Sequence, residues 1–447
     1  MPTVDTIAAV ATAYGRAGIG VVRVSGPETQ QLAVALTGRV PTERQAALSE
    51  FRDAGGVVID RGIAIFFAAP RSYTGEDVLE IQAHGGVAIL RMLLRRCVEL
   101  GARLAEPGEF TKRAFLNDKM DLAQAESVAD LIDASSAAAV RSAQRSLAGE
   151  FSERVGAISK QLIDIRALFE AVLDFPEEEE VDLIDHYQVL AKLDSLLDAI
   201  AALSESATQG NLLREGVQVV LSGAPNVGKS SLMNRLAEEE VAIVTEVPGT
   251  TRDVLSRELV VSGLPLHVID TAGLRDSNDP VERIGVERSL RQIAQADIVL
   301  QVMDAADTAA GDTGQAVFQI RGGTKKILVI NKIDLSNTNA KLVTDDHGET
   351  VWVSAKTGAG IDLLRQALLR ASGRTITDEV PFMARERHIA CIKRAVSHVT
   401  RARGEIGRLE ICAEELRLAH REMGEITGEF SADDLLGEIF SRFCIGK

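Results

Sequence analysis

The sequence is poor in the features that mark out several classes of protein. Its four cysteines, Cys97, Cys391, Cys412 and Cys444, show no metal-ligand spacing, which argues against a zinc-thiolate or disulfide-stapled fold. Such usage is expected of free thiols in a reducing cytoplasm. No apolar run is long enough to span a bilayer, and the start MPTVDTIAAV lacks the basic residues of a secretion signal, so no membrane role is expected. Basic residues are outnumbered 49 to 65, giving a net charge of −16. A chain so balanced is not coated in nucleic acid, and any RNA contact must come from a local basic face. Internal repeats and low-complexity tracts are also missing. What remains is 447 residues of ordinary hydrophobic content, enough for about three domains.

Their organisation changes twice along the chain. Residues 1–118 mix short β-like runs (TIAAVAT, GIGVVRVSG, GIAIFFAAP, DVLEIQ) with helical stretches such as GVAILRMLLRRCVEL, an α+β pattern. From about residue 120, Ile158, Leu162, Ile165, Phe169 and Val172 recur at helical spacing, as do Val189, Leu193, Leu196, Leu197 and Ile200. Pro176 and four glutamates separate the two segments. Residues 215–372 then alternate apolar, β-branched strands with helices, which implies a parallel sheet covered on both faces. After 380 the pattern is helical again. A helical domain carrying an inserted α/β module explains this order.

The inserted module holds five motifs in sequence. GAPNVGKS (223–230) fits G-x-x-x-x-G-K-S at a strand-to-helix junction, where backbone N–H groups from Asn226, Val227 and Gly228 curl around phosphate. Lys229 reaches the β- and γ-phosphates, the Ser230 hydroxyl ligates Mg²⁺, and Ser231 follows in the same turn. In EVPGTTRDV the expected contacts are Glu246, Pro248 and Gly249, with Thr251 as the second Mg²⁺ ligand. DTAG supplies Asp270, Thr271, Ala272 and Gly273 to the Mg²⁺ and γ-phosphate side. NKID supplies Asn331, Lys332 and Asp334, and VSAKTG supplies Ser354, Ala355 and Lys356. The Asp334 carboxylate can accept from guanine's N1–H and exocyclic amine, a pair that adenine does not offer. The expected substrate is therefore GTP with Mg²⁺.

One element of the usual machinery is missing. The residue after Asp-Thr-Ala-Gly, commonly a water-orienting glutamine, is Leu274, which neither donates nor accepts a hydrogen bond. Glu282, farther along the same segment, is a candidate to hold the water, and Arg252 is a candidate finger. Charge on the β- and γ-phosphates then calls for another positive group. Oxygens of Asn226, Thr245, Val247 and Thr250 could cage a K⁺ ion there.

Taken from DTIAAVAT…GRAGIGVVRVSG through FLNDKMDLAQAESVADLIDA and the nucleotide motifs to the terminal FCIGK, the chain resembles the tRNA-modifying GTPases of the MnmE (TrmE) family along essentially its whole length. The resemblance implies a multidomain α/β plus α protein. Residues 1–118 would be an α+β tetrahydrofolate-binding and dimerisation domain, 119–212 and 375–447 the two parts of a helical domain, and 213–374 an inserted Ras-like P-loop GTPase domain. It supports the K⁺ role. It also implies a homodimer, a FAD-dependent partner called MnmG (GidA), tRNA as substrate, and transfer of an aminomethyl or carboxymethylaminomethyl group to C5 of the wobble uridine. The one-carbon donor would be a 5-formyl- or 5,10-methylene-tetrahydrofolate. Arg23, Glu80 and Lys119 carry over as folate residues, with Arg113 a neighbouring alternative to Lys119 and Lys447 in reach.

Two further expectations follow from pattern. Ser431 and Asp434 form a capping box for a last helix whose apolar face is Leu435, Leu436, Ile439, Phe440 and Phe443, leaving Cys444 at the start of a short tail. The expected role of Cys444 is addition to C6 of uridine or assistance to the folate chemistry. Arg385, Arg387, Lys393, Arg394, Arg401, Arg403 and Arg408 form a basic stripe that suits tRNA or the partner protein, and equally suits a solvated face balancing acids elsewhere. A reading from another class is a ribosome-assembly, RNA-binding GTPase. That reading leaves the N-terminal domain without a task.

Overall fold

The computed structural model describes residues 5–13, 15–174, 186–237, 256–270, 296–308, 324–336, 338–345, 348–374, 381–430 and 433–446. It divides into two compact units. The first comprises residues 1–129, 147–197 and 394–447, and the second residues 130–146 and 198–393.

In the first unit, strands β1 (Ile7–Val10), β2 (Ala17–Ser25), β3 (Ala47–Arg52), β4 (Val58–Phe67), β5 (Val78–Gly85) and β6 (Arg103–Leu104) form one sheet in the order β3-β4-β5-β2-β1-β6. All neighbours are antiparallel except β1 and β6. Helices Thr29–Thr37 and Val87–Glu99 cover it, burying Leu32, Leu36 and Leu93 against Val22, Val24, Leu79 and Ile81. β3 and β6 went unread in the sequence because alternate residues are polar or exposed. The same unit holds helix Glu150–Asp174 packed on helix Leu409–Thr427. Phe151, Val155, Ile158, Leu162, Ile165 and Phe169 are all buried, at alternating steps of four and three, as a single apolar seam requires. The final helix, Asp433–Ser441, buries Leu436, Ile439 and Phe440, with Phe443 just beyond its end, against Leu122 and Ala125. Ser431 and the Asp434 side chain lie outside the described residues.

The second unit is built on a seven-stranded sheet, with β7 (Val217–Ser222), β8 (Ser256–Val261), β9 (Leu264–Asp270), β10 (Ile298–Asp304), β11 (Lys325–Asn331), β12 (Lys341–Asp345) and β13 (Gly348–Trp352) in the order β12-β13-β11-β10-β7-β9-β8. The five inner strands run parallel, and the edges β8 and β12 are antiparallel. The inner strands β7, β10 and β11 are buried along most of their length and read as apolar runs, which made them legible. β12, exposed along most of its length, was not. Ser136 caps helix Ala137–Leu147 by accepting from Ala139 N–H and donates to the Gly263 carbonyl in the β8–β9 turn. Among the described residues no helix is long and apolar enough to cross a membrane.

Candidate functional site

The parallel sheet places its chemistry at the carboxyl ends of the inner strands, where ligands of open α/β sheets bind. β7 runs into the 223–230 loop and then helix Lys229–Ala237, so the backbone N–H groups at that helix start are left for an anion. Gly228 is the residue on which the loop depends. Its φ is +96°, and a Cβ there would sit 2.3 Å from Asn331 Nδ2. Asn226 adopts φ +64° on the exposed stretch of the loop, a conformation asparagine tolerates. The Lys229 ammonium is buried and donates to the Gly223 and Ala224 carbonyls at 2.8 and 3.0 Å, which holds it inside the loop's curve. Ser230 and Ser231 are exposed at the helix start.

From β11 the buried Asn331 ties the site together. Its Nδ2 donates to the Val227 carbonyl at 2.8 Å, and its Oδ1 accepts from Ala355 N–H at 3.0 Å. The phosphate loop and the 354–356 loop are thus held to one amide. Ser354 Oγ donates to Asp334 Oδ1 at 2.6 Å, fixing the carboxylate that would read the base. Lys332 pairs with Asp304 at 2.7 Å, and this bond holds the Asp304 carboxyl below its ordinary range. A cavity of about 490 Å³ opens among these groups, lined by Gly228, Ser231, Arg235, Asn331, Lys332, Asp334 and Lys356. Its size suits a nucleoside. Asp270 closes β9 opposite Leu221 of β7. Thr245, Glu246, Val247, Pro248, Gly249, Thr250, Thr251, Arg252, Thr271, Ala272, Gly273, Glu282 and Lys447 lie outside the described residues.

The first unit contains a separate cluster. Arg23 on β2 and Glu80 on β5 are direct cross-strand partners. Arg23 Nε and Nη2 both donate to Glu80 Oε1, at 3.0 and 2.8 Å, and the guanidinium lies 5.5 Å from the Tyr73 ring centre and 5.7 Å from that of Phe110. Burial pushes the Tyr73 hydroxyl's pKa up, opposed by its hydrogen bond to Thr111 and by the Arg23 charge. The C-terminal tail docks on this cluster. Ile445 bridges to Pro107, Gly108 N–H donates to the Cys444 carbonyl at 3.3 Å, and Arg23 Nη1 donates to the Gly446 carbonyl at 3.5 Å. Gly446 has φ +96°, and a Cβ there would meet the Val10 carbonyl oxygen at 2.4 Å. Lys119 does not share these bonds; its exposed ammonium donates to the Pro70 carbonyl at 2.9 Å. Arg113 is buried and committed elsewhere, to Asp5, Glu76 and Glu109. It therefore cannot stand in for Lys119 without breaking a three-acid network.

Two other patterns resolve differently. In the basic stripe, Arg385 pairs with Asp130, Arg394 with Glu422, Arg401 with Glu415, Arg403 with Asp194, and Arg408 with Glu405. Most of its charge is spent on internal acids, as the solvated-face alternative requires. Among the cysteines only Cys444 is exposed. Cys97 is buried, and its thiol is pushed up to about 12, chiefly by desolvation; Cys412 is raised by burial and by Glu405. The one accessible thiol is the one on the docked tail. Reading by sequence missed Tyr73, Phe110 and Gly108 around Arg23, and Asp304 and Arg235 around the nucleotide cavity. None lies inside a motif, although the Pro107-Gly108 pair marked a turn.

Comparison with known proteins bears on both sites. Residues 6–119 match the family described as GTP-binding protein TrmE N-terminus, and residues 122–444 match the MnmE helical domain. The tRNA modification GTPase MnmE of Thiobacillus denitrificans is 52% identical over 446 residues, spanning 100% of this chain and 99% of that protein. Its counterpart in Azoarcus sp. is 55% identical over 445 residues, spanning 99% of this chain and 98% of that protein. That of Aromatoleum aromaticum is 53% identical over 443 residues, with 99% and 98% spanned. Identity of this order along full length, over a phosphate loop, a guanine-type carboxylate and a docked tail, means that the chain belongs to the MnmE family of tRNA modification GTPases.

Proposed function

We propose that the protein is a K⁺-dependent GTPase of the cytoplasm that works as a homodimer with an FAD-dependent MnmG partner. Together they place an aminomethyl or carboxymethylaminomethyl group on C5 of the wobble uridine of certain tRNAs, taking one carbon from a tetrahydrofolate. The observation that supports the folate part of this reading is the contact of the tail with Arg23, whose Nη1 donates to the carbonyl of Gly446, close in sequence to the exposed Cys444. The donor set suits such a ligand. Both bonds from Arg23 to Glu80 go to Oε1, which leaves Oε2 to accept from the donor edge of a pterin, beside the rings of Tyr73 and Phe110. When bound, the folate supplies the one-carbon unit; Arg23 orients Glu80 and anchors the tail, and Lys119 and Lys447 are the cations available to its carboxylates. Equilibrium dialysis with labelled 5-formyl-tetrahydrofolate tests this. The wild-type chain should bind, and Glu80→Gln, which turns one oxygen into a donor, should bind about tenfold or more weakly. No binding by the wild type would remove the folate from the account.

In the nucleotide site, Lys229 and the backbone of the 223–230 loop hold the phosphates, and Ser230 and Thr251 are the Mg²⁺ ligands. Glu282 positions water in place of the absent glutamine, and Asn226 with Thr245, Val247 and Thr250 holds K⁺. Supporting this, Asn226 stands on the exposed arc of the phosphate loop. Hydrolysis in KCl should exceed that in NaCl at equal ionic strength by at least tenfold, since an electrostatic stabiliser of this kind contributes about 10²–10³ in rate. Equal rates in the two salts would refute the cation.

A further inference from the structure

We propose that Arg235 is a positioning residue for guanine-nucleotide binding, a clasp that fixes the 354–356 loop to the helix following the phosphate loop. The inference deepens the GTP reading and rests on it. Arg235 lies in the last turn of helix Lys229–Ala237 and borders the nucleotide cavity. Its Nε donates to the Ala355 carbonyl at 3.1 Å, and its Nη2 donates to the Lys356 carbonyl at 2.9 Å. A planar fork bound to two successive carbonyls sets both the distance and the tilt of the loop, which a single donor cannot do. The Ala355 residue is then held at both ends, because its N–H is already bound to Asn331. Ser354, one residue earlier, orients the base-reading carboxylate of Asp334. Arg235 thus acts on the base through the loop and needs no contact with the nucleotide. It lies outside the G-x-x-x-x-G-K-S motif, so the role is not visible in the motif itself.

The test uses the full-length protein, a fluorescent GDP analogue, and GTP and ITP as substrates. Arg235→Ala is expected to speed GDP dissociation about tenfold and to raise KM for GTP to a similar degree with kcat unchanged, because two hydrogen bonds are lost away from the reacting atoms. Preference for GTP over ITP should fall too, since Asp334 is less firmly aimed. Arg235→Lys, which can serve one carbonyl, should lie between. Unchanged dissociation in both variants, with unchanged thermal unfolding, would overturn the proposal, as would a loss confined to kcat. Should the alanine variant fail to fold, the lysine variant decides: a dissociation rate equal to wild type refutes the clasp. Wild-type protein that does not prefer GTP to ATP would instead refute the guanine reading beneath it.

Discussion

Asp334→Asn is expected to weaken GTP binding by about two to four orders of magnitude, from the loss of two charge-assisted hydrogen bonds of about 1.5–3 kcal/mol each. The substitution does more than remove charge. The asparagine amide presents one acceptor and one donor where guanine presents two donors, so one of the two contacts becomes repulsive. Xanthine carries a carbonyl in place of the exocyclic amine and suits that pattern, so hydrolysis of XTP should appear as that of GTP disappears. The Ser354 hydroxyl, 2.6 Å from Oδ1, can go on donating to the asparagine oxygen, which keeps the new amide in the old plane. Competition between labelled GTP and XTP for the purified variant measures this. Retained GTP preference would mean that Asp334 does not read the base.

The second large effect concerns the tail. Gly446→Val should abolish the wobble modification, or reduce it by about 10²-fold, with GTP hydrolysis unchanged. A Cβ at Gly446 would lie 2.4 Å from the Val10 carbonyl oxygen, and φ there is +96°, which a β-branched residue rarely adopts. The tail must therefore leave its place, and displacement of a reacting group by about an ångström costs on that scale. Cys444→Ser leaves the docking contacts intact, because those use the Cys444 carbonyl and the Ile445 and Gly446 backbone. Its loss of modification would be chemical where that of Gly446→Val is positional. Gel filtration and GTPase assays on both variants exclude misfolding as the shared cause.

The two sites were unequally legible in the sequence. The nucleotide motifs could be placed because each is a contiguous run, and GAPNVGKS, DTAG and NKID meet the ends of apolar strands, so local pattern carried both fold and chemistry. Arg23 and Glu80 could be named only through resemblance. They are 57 residues apart, and only the β2–β5 register shows that they face each other. The same limit explains the basic stripe. Its arginines look unbalanced along residues 385–408, yet Asp130, Asp194, Glu415 and Glu422 reach them from other segments. Helix Asp433–Ser441 shows the opposite case: its apolar face was periodic and is buried as the period requires. What could not be read was the tail's landing place, because Pro107 and Gly108 come from one turn and Val10 from β1, two segments far apart in the sequence.

The central claim is that GTP hydrolysis by this chain serves the modification of wobble uridine. Mass spectrometry of nucleosides from tRNA of a strain lacking this gene, complemented in turn with the wild-type chain, Lys229→Ala and Cys444→Ser, tests it most directly. The account predicts C5-modified wobble uridine with the wild type alone, with GTPase activity absent from Lys229→Ala and normal in Cys444→Ser. Wobble uridines that remain modified in the deletion strain would contradict it, and accumulation of ribosomal subunits in that strain would turn the assignment to ribosome assembly.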